Sequence, residues 1–74
     1  MTLNEKLKEL RLSAGMTMKQ VAKETHLSEA SICRYEKGNR AIPLTYVFYW
    51  CEKNLFTVEE LSAYCLGGIH IENV

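Results

Sequence analysis

The sequence predicts an all-α domain, a compact bundle of five short helices, on three observations. Ser or Thr residues stand where helix N-caps belong, Gly or Asn residues follow where the helices should stop, and apolar residues recur at helical spacing. No strand-like alternation interrupts the first 66 positions. At 74 residues and 47% hydrophobic, the chain is long and apolar enough for one small core and too short for a second. The expected helical domain covers 1–66, with 67–74 as a C-terminal tail.

Thr2 opens the first helix, expected over 3–13, because Thr2 and Glu5 form a capping box in which each side chain bonds a backbone N–H that the helix leaves orphaned. Leu3, Leu7 and Leu10 fall on one face, and Gly15 can close the last turn. Thr17 with Gln20 repeats the box for a second helix at 18–24, stapled by Met16 and Val21 and burying Val21 and Ala22. Ser28 caps a third at 29–37, with Leu27 and Ile32 as staple and Ser31 in place of the reciprocal Glu or Gln. Ile32 and Tyr35 point inward there, and Gly38 is the stop. Pro43 suits the first turn of a fourth helix over 44–53, since its missing N–H has no intrahelical partner at that place, and Asn54 can end it. Leu44, Val47, Phe48 and Cys51 form its expected inward stripe. Thr57 with Glu60, stapled by Phe56 and Leu61, starts a fifth helix at 58–66 that buries Val58, Leu61 and Cys65 and stops at Gly67. After Gly67-Gly68, Ile69 and Ile71 alternate with Gly68 and His70, so the tail is either a frayed end or an added strand.

Net charge is zero, yet the halves differ in sign: residues 1–43 sum to +3 and residues 44–74 to −3. Three cysteines, Cys33, Cys51 and Cys65, are an odd number without Cys-x-x-Cys spacing, which reads as reduced thiols in a cytoplasmic protein. Two lone histidines add no metal pattern, and no cofactor is implied. Paired carboxylates, a nucleophile with its base and a phosphate loop are all missing at usable spacing, so neither an enzyme nor a small-molecule substrate is expected. The longest apolar run, Val47 to Cys51, is far short of a membrane span.

The caps Thr17 and Ser28 stand eleven residues apart, which leaves about two helical turns, a turn at Thr25-His26-Leu27 and a second helix. That is the geometry of a helix-turn-helix, in which the first helix braces and the second projects its N-terminal side chains into the major groove. An ordinary helical hairpin has the same spacing. The residues Leu7-Lys8-Glu9-Leu10-Arg11, Gly15-Met16-Thr17, Gln20-Val21-Ala22, Leu27-Ser28, Ile32, Arg34-Tyr35-Glu36-Lys37-Gly38-Asn39-Arg40 and Pro43 decide between them. With these the chain resembles the Cro/repressor (Xre) helix-turn-helix family of phage and bacterial regulators, without a gap from about residue 3 to 43 and more loosely to about 66. The resemblance implies a lambda-repressor-like DNA-binding domain that acts at an operator, usually as a homodimer.

Residue by residue, the resemblance makes Arg11 and Glu36 a structural ion pair. It makes Glu29, Ala30 and Arg34 the positions that meet base edges. Arg34 is chemically the best suited, since a guanidinium can bond guanine O6 and N7 together. Ser28 and Ser31 are implied as backbone contacts, as are Asn39 and Arg40 in the loop, with Lys19 and Lys37 as phosphate-contacting charges and Lys23 nearby. Two positions depart from the family pattern. Met18 stands where a phosphate-bonding glutamine is common, and Glu29 would repel phosphates unless it accepts from a cytosine amino group. Cys33 is either a redox switch or an inert small residue, and His26 a solvated or capping side chain.

With Leu44, Val47, Phe48 and Cys51 inward, Tyr46, Tyr49, Trp50 and Lys53 of the fourth helix face elsewhere, which makes Tyr46, Tyr49 and Trp50 candidates for a dimer or partner interface. Alternatively, Tyr46 and Trp50 fold under the tail. Leu12 is a further apolar side chain expected on the surface. Two functions follow: a transcriptional regulator reading double-stranded operator DNA with its third helix, or a helix-turn-helix-derived antirepressor or modulator that binds another repressor. Both require residues 17–37 to form a braced helix pair with Glu29, Ala30 and Arg34 outward.

Overall fold

The computed structural model describes residues 2–65 and 71–72. In chain order these form α1 (Leu3–Ser13), α2 (Met18–Thr25), α3 (Glu29–Lys37), β1 (Ile42–Pro43), α4 (Leu44–Glu52), α5 (Val58–Cys65) and β2 (Ile71–Glu72). The expected stop at Gly67, the expected burial of Cys65 and the tail apart from 71–72 fall outside the described residues.

Side chains start the helices as their chemistry dictates. Thr2 with Glu5 and Thr17 with Gln20 form complete capping boxes. Ser28 and Thr57 accept from the N–H groups of Ser31 and Glu60 at 3.1 Å each. Pro43 sits one residue earlier than expected, as the residue before α4, with extended backbone and no side-chain cap.

Four helices stop in the same way. A residue with positive φ turns the chain, and the next N–H reaches back five residues to a carbonyl left free by the helix: Met16 to Arg11, Leu27 to Ala22, Asn39 to Arg34 and Leu55 to Trp50. The turning residues are Gly15, His26, Gly38 and Asn54. At Gly38 a left-handed φ of 74° coincides with crowding, because an added Cβ would stand 3.2 Å from Asn4 Nδ2.

The core collects Leu3, Leu7 and Leu10 of α1, Val21 and Ala22 of α2, Ile32 and Tyr35 of α3, Ile42 of β1, then Tyr46, Val47 and Trp50 of α4, with Phe56 and Leu61. Here α4 overturns the expected face. Tyr46 and Trp50 are 1% and 0% exposed, whereas Phe48 is 43% exposed, and Leu44 and Cys51 are half-buried. The segment LTYVFYWCE is apolar almost all round, so its periodicity cannot select a face, and the orientation that buries Tyr46 and Trp50 removes the larger aromatic surfaces from water. Tyr46 meets Tyr35 at 5.3 Å and Trp50 edge-on at 6.4 Å. This burial leaves Tyr46 Oη and Trp50 Nε1 without hydrogen-bond partners among the described residues. Val58, also expected inside, is 64% exposed at the first residue of α5.

No strand is expected from the sequence at residues 42–43, where Pro43 suits the first turn of the fourth helix. They form a parallel pair with β2, Ile42 opposite Ile71 and Pro43 opposite Glu72. A residue before proline favours extended backbone, and its partner lies 29 positions away, outside the reach of any local pattern.

Candidate functional site

The two helices of the central pair are joined by a single left-handed residue. His26, at φ 58° and ψ 30°, ends α2, and after Leu27 the next residue, Ser28, caps α3. A side chain with a Cβ is strained in that region, although histidine is among the residues enriched there. Thr25 Oγ1 donates to Val21 O at 2.8 Å, which ties the last turn of α2 to itself.

On α3, Ile32, Tyr35 and Glu36 face the interior, while Ala30, Arg34 and Lys37, at i, i+4 and i+7, are exposed on the opposite side. Glu29 is exposed at the first turn, and Lys19, Ser28, Asn39 and Arg40 are exposed around the pair. Ser31 is half-buried. It accepts from Arg40 Nη1 at 3.3 Å, and Ser28 Oγ lies 3.0 Å from its hydroxyl. Arg40 also stands 6.0 Å from the centre of the Tyr35 ring, so the loop arginine folds back over the start of α3. Of the positions singled out for base edges and phosphates, all but Ser31 are exposed, and none is in the core.

Arg11 and Glu36 meet inside. Nε and Nη2 of Arg11 donate to the two carboxylate oxygens of Glu36 at 2.7 and 3.0 Å, and Nη1 donates to Met16 O at 3.0 Å. The fork-to-fork geometry joins α1 to the C-terminal end of α3 and to the connection leading into α2. It therefore fixes the helix pair on α1.

Tyr49 is half-buried, not part of an outward aromatic patch. Its hydroxyl donates to Glu24 Oε1 at 2.5 Å and lies 3.8 Å from Met16 Sδ. Lys53 Nζ contacts the same Glu24 oxygen at 3.2 Å and sits 5.0 Å over the Tyr49 ring. The hydrogen bond from Tyr49 holds the Glu24 carboxyl below its usual range, with Lys53 adding to it. Burial, helped by Glu24, pushes the Tyr49 hydroxyl up. Nothing in the sequence signals that Lys53 pairs with Glu24, because the pairing spans 29 positions and only the packing of α4 on α2 reveals it.

Charge pairing is uneven. Lys6, Arg11 and Lys53 have carboxylate partners. Among the described residues Lys8, Lys19, Lys23, Arg34, Lys37 and Arg40 have none, and all but Lys8 belong to α2, α3 or the loop after it. Cys33 and Cys51 are free and half-buried, and burial pushes the Cys51 thiol up, which makes it a poor nucleophile at neutral pH. Among the described residues no group of His, Cys, Asp and Glu could hold a metal ion, and no helix is long and apolar enough to cross a membrane.

A family model described as helix-turn-helix matches residues 7–48, more than half of the chain, from the middle of α1 into α4. Comparison with curated proteins and with solved structures found no match.

Proposed function

Because the chain belongs to the Cro/Xre-type helix-turn-helix family of DNA-binding regulators, we propose that it is a sequence-specific transcriptional regulator of the phage repressor type, reading an operator's major groove with α3 as a homodimer. The observation that carries this reading is the outward stripe of Ala30, Arg34 and Lys37 on α3, amid five cations without carboxylate partners among the described residues. In it, Arg34 reads guanine, Ala30 meets a thymine methyl and Glu29 accepts from a cytosine. Ser28, Ser31, Lys19, Lys37, Asn39 and Arg40 hold the phosphates. The exposed apolar side chains Phe48 and Val58, rather than Tyr46 and Trp50, support the homodimer, and the free thiols support a reducing cytoplasm.

Band-shift titration against operator and random DNA tests the reading. If Lys19, Lys23, Lys37 and Arg40 each neutralise one phosphate, a dimer neutralises about eight, and log K falls with log salt at a slope of about −7. Arg34→Ala relaxes base choice at a penalty of about 1–3 kcal/mol on the operator, while Arg40→Ala weakens all sequences alike. A slope near zero, or equal losses on both DNAs for Arg34→Ala, refutes it.

One observation favours a second reading, an antirepressor that covers another repressor's recognition helix. Glu29, at the exposed start of α3 and without a cationic partner among the described residues, repels phosphates but suits a basic protein. Loss of the other repressor's band shift, with no shift by this chain alone, selects that reading.

A further inference from the structure

We propose that Tyr49, together with Lys53, is a positioning residue for DNA reading: the two side chains grip Glu24 and so fix the end of α2, and the turn behind it, against α4. This rests on α3 reading DNA as proposed above. The turn carries the whole connection between α2 and α3 on one left-handed residue, His26. Leu27 packs against the core, but a cavity of about 110 Å³ lined by Thr25, Leu27, Thr45, Tyr46 and Tyr49 loosens the packing between the turn and α4.

The Glu24 latch stands beside that gap. Glu24 precedes His26 by two residues, and its carboxylate takes the Tyr49 hydroxyl at 2.5 Å and the Lys53 ammonium at 3.2 Å. Tyr49 is itself anchored, its ring parallel to Tyr46 at 6.4 Å and edge-on to Trp50 at 5.0 Å, both of them core residues. An exposed ion pair alone contributes little, but a hydroxyl held by the core and bonded to a charged acceptor is a stronger and more directional tie. Base reading tolerates displacements of only a fraction of an ångström, whereas non-specific attraction depends on charge. Tyr49 is neutral, so removing its hydroxyl touches the first and spares the second.

Tyr49→Phe keeps the ring and the net charge. Operator affinity should fall about fivefold, random-DNA affinity should change less than about twofold, and the salt slope should not move. In the free protein, amide hydrogen exchange at His26 and Leu27, whose N–H groups both bond Ala22 O, should accelerate about threefold or more, with the α1 core amides unchanged. Glu24→Gln should also accelerate exchange at the turn, yet strengthen random-DNA binding, because it deletes a carboxylate, and Tyr49→Phe added to it should accelerate exchange little further. Equal losses on both DNAs, or unchanged exchange at the turn in Tyr49→Phe, overturn the proposal. If the wild-type chain shifts no DNA, the reading of α3 fails while exchange still judges the latch.

Discussion

Removing one member of the buried Arg11–Glu36 pair should be among the most damaging single changes in this chain. The side chains are 9% and 2% exposed, and three hydrogen bonds satisfy the guanidinium on Glu36 and Met16 O. Arg11→Met leaves a carboxylate buried without its cation, which costs about 3–5 kcal/mol. A chain of 74 residues is stable by about 4–11 kcal/mol in all. With an unfolding entropy of about 2.1 cal/mol/K per residue, such a loss lowers Tm by about 20–30 °C. Glu36→Leu should cost a similar amount through the orphaned guanidinium. The double variant should recover most of the loss, because an apolar pair of similar volume needs no counter-charge. A residual of about 1–2 kcal/mol should remain from the Met16 carbonyl, which loses its Arg11 donor. Urea and thermal unfolding of the four chains should then give a coupling energy of about 4–9 kcal/mol, the two single losses less that of the double variant. Additive single losses, or a loss below about 1 kcal/mol for Arg11→Met, would refute the reasoning.

Two other predictions concern residues whose environments the fold makes costly. Burial pushes the Tyr46 hydroxyl up to about 12, with the adjoining Trp50 indole offsetting part of the shift although it lies outside hydrogen-bond geometry. Its folded value exceeds the unfolded value of about 10, so its contribution is intact below about pH 10 and is lost as pH rises through about 12. That loss amounts to about 2–3 kcal/mol, and Tyr46→Phe should lack it while being as stable as wild type or slightly more so at neutral pH. Parallel stability curves for the two chains between neutral and strongly alkaline pH would contradict this. His26→Gly should raise stability by about 0.5–1 kcal/mol, or Tm by about 3–6 °C, because φ 58° at His26 carries strain that glycine does not. A lower melting temperature would show that the histidine side chain contributes more than its backbone conformation costs.

What could be read from the sequence divides by range. Caps and stops are local, and Thr2, Thr17, Ser28, Gly15, Gly38 and Asn54 act at the places where their chemistry puts them. The left-handed turn at His26 escaped because nothing in the side chain demands it. What the connection needs there is one residue turned back so that Leu27 can reach Ala22 O. The face of α4 escaped for the opposite reason. Apolar residues surround the helix, and only competition for the core sorts Tyr46 and Trp50 in and Phe48 out. The same rotation turned Tyr49 from a candidate interface residue into the partner of Glu24, a contact that no single-helix pattern contains.

A net charge of zero, taken alone, argues against a DNA partner, and the distribution of ion pairs removes the objection. Glu9, Glu24 and Glu36 are paired with cations, while Glu5 and Glu60 are engaged at helix starts with Thr2 and Thr57. Among the described residues the cations of α2, α3 and the following loop have no carboxylate partner, and Glu29 is the one carboxylate there without a cation. Glu52 and Glu59, which offset them in the sum, stand on α4 and α5. A Debye length of about 8 Å at physiological salt is short beside a molecule of 30 × 24 × 23 Å, so the charges of α3 act mainly on their immediate surroundings. A phosphate backbone against α3 therefore meets the local excess of positive charge and not the vanishing total. Lys53 is the single cation of the acidic half. By taking up Glu24 it keeps the only carboxylate of α2 from neutralising Lys19 and Lys23.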